Sequence, residues 1–136
     1  ANTSTVYFPY HVRQIELQVM QANPGQRQFT LFGLNLENGQ PGIVYHSLGG
    51  NGAKIKHYVA AAHFAEQTAA VQPDLFILSL GTNEAIEYPY VDPQLTNQLD
   101  VLIQRLKQVN PTAQFLITTP PDTFKRKTRR NPGIEV

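Results

Sequence analysis

The chain has 136 residues, enough for one domain with a buried core. An apolar fraction of 41% with only 15% charged residues fits a globular domain and excludes a disordered one. A net charge of +1 gives no general attraction to nucleic acid or anionic membrane, and the lack of cysteine excludes disulfides and thiolate metal sites.

No apolar segment approaches the roughly 20 residues that span a bilayer, and none resembles a signal peptide. The first residue is Ala1, not methionine, and no complete βα unit precedes the first strands. A processed form, or a piece of a longer polypeptide, is expected.

Residues 1–41 read as antiparallel strands of the kind found in β-sandwiches. Val12 to Met20 alternates apolar Val12, Ile15, Leu17 and Val19 with polar Arg13, Glu16 and Gln18. Gln28 to Leu36 alternates again, with Phe29 and Leu31 on one side, and Asn23-Pro24-Gly25 between the two runs is strong turn chemistry. An antiparallel pair with one wet face is expected.

From residue 42 to 136 the pattern changes to alternating β and α. Ile43-Val44-Tyr45 reads as a short strand that runs into His46-Ser47-Leu48-Gly49-Gly50-Asn51-Gly52. Ala53 to Val71 has apolar residues near helical spacing, and Gln72-Pro73 stops it. Leu75 to Leu80 is an apolar run of the kind a buried strand favours. It breaks at Gly81, after which Thr82 or Asn83 can cap a helix with Glu84 near its positive end. An irregular Glu87-Tyr88-Pro89-Tyr90 loop follows, and then Asp92-Pro93 opens a second helix. Its apolar face is Leu95, Leu99, Leu102, Ile103 and Leu106, and Asn110-Pro111 ends it. Gln114 to Thr119 is a further strand. This alternation predicts a parallel sheet with right-handed crossovers, in an α/β domain.

Two polar turns carry the chemistry. Gly49-Gly50-Asn51-Gly52 lets a backbone approach a ligand closely, and it lacks the third glycine and acidic partner of a dinucleotide fingerprint. Gly81-Thr82-Asn83 ends the next strand. Successive βα units of a parallel sheet place both turns on one edge, where ligands bind. A backbone N–H from one turn and the Asn83 carboxamide from the other are donors suited to a developing oxyanion. The plain alternative for each is an ordinary turn that needs positive φ.

His46-Ser47-Leu48-Gly49-Gly50-Asn51-Gly52-Ala53, followed about 30 residues later by Leu78-Ser79-Leu80-Gly81-Thr82-Asn83-Glu84-Ala85, resembles the second and third sequence blocks of the SGNH hydrolases, or GDSL-type esterases/lipases. Thr118-Thr119-Pro120-Pro121 is also similar to the family. The resemblance covers about Gly42 to Asp122. By position it implies that Gly52 and Asn83 are the oxyanion donors, with Gly49 and Gly50 as neighbouring choices for the first. It implies a three-layer α/β/α flavodoxin-like domain with a parallel sheet, and a serine esterase of Ser-His-Asp type that needs no metal or cofactor.

The pattern also departs from the family. Glu84 stands where the third block usually has aspartate. The Gly-Asp-Ser block is absent: the serines are Ser4, Ser47 and Ser79, none after Gly-Asp, and only Ser47 is a local substitute. Ser79 reads as a buried, hydrogen-bonded strand hydroxyl. The Asp-x-x-His block is absent too. Some similar members carry a β-sandwich between or before these blocks, which implies that residues 1–41 are the end of such a sandwich, of jelly-roll type. Those members resemble secreted carbohydrate or cell-wall deacetylases, so the resemblance implies a secreted or periplasmic enzyme acting on small-molecule or carbohydrate esters. Its nucleophile and histidine would then come from the remainder of the polypeptide. A non-catalytic sugar- or phosphate-binding module is the alternative.

The remaining features are weaker. His57 and His63, six apart on one expected helix, do not share a face as a metal pair would. His46 reads as structural, and Asp122 as a turn cap. Lys125-Arg126-Lys127-Thr128-Arg129-Arg130 lacks interleaved aromatics and reads as a solvated loop, so neither nucleic acid nor membrane is expected as a partner.

Overall fold

The computed structural model of the chain describes residues 3–86 and 92–121. It divides into two units, residues 1–46 and 47–136. In the first, the expected turn forms: Gln26 N–H donates to the Asn23 carbonyl at 3.1 Å, and Asn23 Oδ1 accepts from Gly25 N–H at 3.0 Å. The expected strands do not. None of the described residues up to His46 lies in a strand, and Ile43-Val44-Tyr45 is irregular as well. Leu17, Phe32 and Leu36 are exposed. A two-stranded ribbon with nothing to cover its apolar side is at best marginal, because it buries too little surface to offset chain ordering.

The second unit is a mixed α/β structure. Helices α1 (Ile55–Ala60) and α2 (Phe64–Ala69) precede strand β1 (Leu75–Ser79), the single turn α3 (Thr82–Ala85), helix α4 (Leu95–Val109) and strand β2 (Gln114–Thr118). β1 and β2 pair in parallel, Leu75 opposite Gln114 through Ser79 opposite Thr118, as alternating β and α segments require. The crossover between them runs through α4.

The helix expected over Ala53–Val71 is broken at Ala61, whose φ and ψ of −73° and 101° are extended. No glycine or proline marks the break. Tertiary contacts explain it: the Val59 carbonyl, which a continuous helix would pair internally, accepts from Arg105 Nη1 at 2.5 Å. The bend also sets the Tyr58 and Phe64 rings edge to face at 5.2 Å. α2 ends where Gln72 takes a left-handed φ of 44° just before Pro73. α4 begins two residues later than Asp92-Pro93 suggests. Asp92 still closes the entry, its Oδ1 accepting from Gln94 N–H at 2.9 Å and its Oδ2 from Gln98 Nε2 at 3.1 Å.

Leu102 and Leu106 of α4, with Ile55 and Leu78, form the buried centre of the unit. Leu95, Leu99 and Ile103 pack around it, so the predicted apolar face of α4 is the one that faces the core. Phe76 and Phe115 stack across the two strands at 5.1 Å on that side of the sheet. Asn110 ends α4 and is buried, its Nδ2 donating to the Leu106 carbonyl at 3.3 Å and reaching Thr68 Oγ1 of α2 at 3.4 Å. The opposite face of the sheet carries Leu75, Ile77 and Leu116, each about half exposed.

Candidate functional site

Both polar turns fold against the start of α1. β1 ends at Ser79, and the chain reverses through Gly81, whose φ of 111° is open to glycine alone. A Cβ there would meet Pro120 Cγ at 3.4 Å, so the backbone after β1 lies against the proline ring that follows β2. The two strands therefore deliver their carboxyl ends to one place, where side chains of the following loops converge. The first turn is closed by Ala53 N–H donating to the Gly50 carbonyl at 3.0 Å, and Gly52 takes a φ of 74°. Tyr58 Oη ties the loop back by donating to the Leu48 carbonyl at 3.2 Å.

Asn83 and Glu84 join the two turns. Neither Thr82 nor Asn83 caps α3, whose N-cap is Gly81 without a side-chain bond. Asn83 instead donates from Nδ2 to the Ala53 carbonyl at 2.7 Å, across 30 residues of sequence. A carboxamide nitrogen carries two protons, so a second donor remains beside the residue that follows Gly52. Glu84 Oε1 accepts from Ile55 N–H at 2.7 Å. This charge-assisted bond satisfies one of the amides that the first turn of α1 leaves open. Glu84 Oε2 is buried and has no hydrogen-bond partner among the described residues, and the same holds for Thr118 Oγ1 at the end of β2.

Gly52 and Asn83, the two expected donors, are thus brought to adjoining positions by the Ala53 hydrogen bond. Glu84 lies in the first turn of α3, near its positive end as expected. Its carboxylate in addition accepts from Ile55 N–H at the start of α1. Sequence reading missed this because a contact across 29 residues leaves no local pattern.

The three serines differ in setting. Ser4 and Ser47 are exposed, outside any strand or helix. Ser79, expected to be buried and bonded, is exposed, because it alternates onto the open face of the sheet with Leu75 and Ile77. His57 and His63 prove to lie on different helices: His57 Nδ1 accepts from Lys54 N–H at 3.1 Å at the start of α1, whereas His63 is the N-cap residue of α2. His46 is exposed. Asp122 and the basic run Lys125–Arg130 fall outside the described residues. Among the described residues, no three histidine, aspartate or glutamate side chains gather as a metal site would need, and no helix is long and apolar enough to cross a membrane.

Comparison with protein-family models, curated proteins and solved structures finds no match to this chain.

Proposed function

We propose that the chain supplies the oxyanion-stabilising part of an SGNH-type serine esterase, with Asn83 Nδ2 and the Gly52 amide as the donors. The observation that carries this reading is the 2.7 Å hydrogen bond from Asn83 to the Ala53 carbonyl, which holds a carboxamide with one unused proton against the glycine turn. Such donors act on charge that develops as a nucleophile adds to an ester carbonyl, and they need no rearrangement when fixed beforehand. The nucleophilic serine and its histidine are assigned to none of the 136 residues, and the reading takes them from further sequence of the same polypeptide. A carbohydrate or cell-wall acyl ester is the substrate class, with a secreted or periplasmic setting. In the three-layer flavodoxin-like arrangement that goes with this chemistry, a second helical layer covers Leu75, Ile77 and Leu116. Their half exposure supports it, because parallel sheets are ordinarily covered on both faces.

The rival is a binding module that holds a phosphate at the glycine turn. Glu84 weighs against it: a carboxylate already occupies the Ile55 amide at the start of α1, where an anion would otherwise sit, and would repel a second negative group. A fluorophosphonate probe distinguishes the two readings on the longest natural form of the polypeptide. Covalent labelling of a serine is expected of the esterase, and an unlabelled protein that still binds a sugar or phosphate would overturn it.

A further inference from the structure

We infer that Glu84 is a positioning residue for the oxyanion turn, an inference that rests on the esterase reading above. Asn83 and Glu84 are neighbours on α3, and they grip two backbone groups two residues apart. Asn83 donates to the Ala53 carbonyl and Glu84 accepts from the Ile55 amide, each at 2.7 Å. One bond runs in each direction, so the pair fixes both the place and the rotation of the segment that leaves Gly52. Either bond alone leaves a swivel. This outside restraint matters at Gly52, which holds a φ of 74° with open space where a side chain would pack.

The same pair also fixes Asn83. With Glu84 anchored to α1, the single turn α3 cannot rotate, and the second carboxamide proton of Asn83 keeps one direction. Anchoring matters more here than in a longer helix, because four residues make too few internal bonds to hold their own orientation. Glutamate reaches Ile55 N–H, whereas aspartate at this position would be one methylene short. The side chain belongs to positioning and touches no reacting atom: Oε1 is spent on the backbone and Oε2 is buried.

The test compares the longest natural form of the polypeptide with its Glu84→Ala and Glu84→Gln variants, using p-nitrophenyl acetate hydrolysis and nitrogen-15 NMR of the Ile55 amide and the Asn83 carboxamide. Glutamine keeps the acceptor without the charge. In Glu84→Ala, kcat should fall about 10- to 100-fold with KM within about twofold, since a misplaced donor costs the transition state and not the bound ester. The Ile55 amide should then exchange faster and the Asn83 carboxamide signals should move. Glu84→Gln should restore all three to within about threefold. If Glu84→Ala does not fold, Glu84→Asp takes its place. An unchanged kcat with the Ile55 amide deprotected would overturn the inference, and so would a Glu84→Gln variant as slow as Glu84→Ala with that amide still protected. A wild-type protein without hydrolysis would overturn the esterase reading instead. The NMR signals would then decide alone: a shift of Asn83 in Glu84→Ala supports the clamp, and no shift overturns it.

Discussion

Asn83 and Ala53 stand 30 residues apart in sequence and meet at 2.7 Å, carboxamide nitrogen to backbone carbonyl. This contact places the glycine turn before α1 against the short helix after β1, and it depends on several glycine, core and capping positions whose energetics can be measured separately.

Gly81 is the position where the backbone allows least. At a φ of 111° any L side chain is strained, although the new Cβ would make only ordinary contact with Pro120. Gly81→Ala should lower unfolding free energy by about 1–3 kcal/mol in urea titration. It should also weaken the Asn83 contact, since the two residues share one turn.

Leu106 is fully buried at the centre of α4. Leu106→Ala removes apolar contact and leaves a cavity, and should cost about 2–5 kcal/mol. Leu106→Met conserves volume and should cost less than about 1.5 kcal/mol. The difference between the two variants, read from urea midpoints at constant slope, separates a packed core from a loosely collapsed one.

Gln72 holds a left-handed φ of 44° that favours glycine. Gln72→Gly relieves a Cβ clash in the folded state and adds freedom to the unfolded one, and the first effect is the larger. A stabilisation of about 0.5–1 kcal/mol is expected, seen as a higher melting temperature.

Much of the second unit is legible in the chain because its signals are local. The apolar spacing Leu95, Leu99, Leu102, Leu106 marks α4 and its buried face, and the runs at Leu75 and Gln114 mark strands that pair in parallel. The broken helix is not legible, since Ala61-Ala62-His63 contains no breaker and the Val59 carbonyl finds its partner in Arg105, 46 residues on. Nor is the burial of Asn110, which sequence marks only as a terminator. The first unit shows the limit of alternation as a signal: Val12–Met20 and Gln28–Leu36 have the period of strands, but period alone supplies no covering surface. At the candidate site, turn chemistry marks the two turns and the family resemblance singles out Gly52 and Asn83 within them, whereas the reach of Glu84 to Ile55 is tertiary and has no signature in the chain.

The most direct test of the esterase account is p-nitrophenyl acetate hydrolysis by the longest natural form of the polypeptide, beside its Asn83→Ala variant, with urea unfolding of both. The variant should turn over about 100- to 1,000-fold more slowly. Its stability should fall by only about 1 kcal/mol, the worth of the single hydrogen bond to Ala53. Equal hydrolysis by the two proteins would contradict the account and leave Asn83 as a structural tie between two turns.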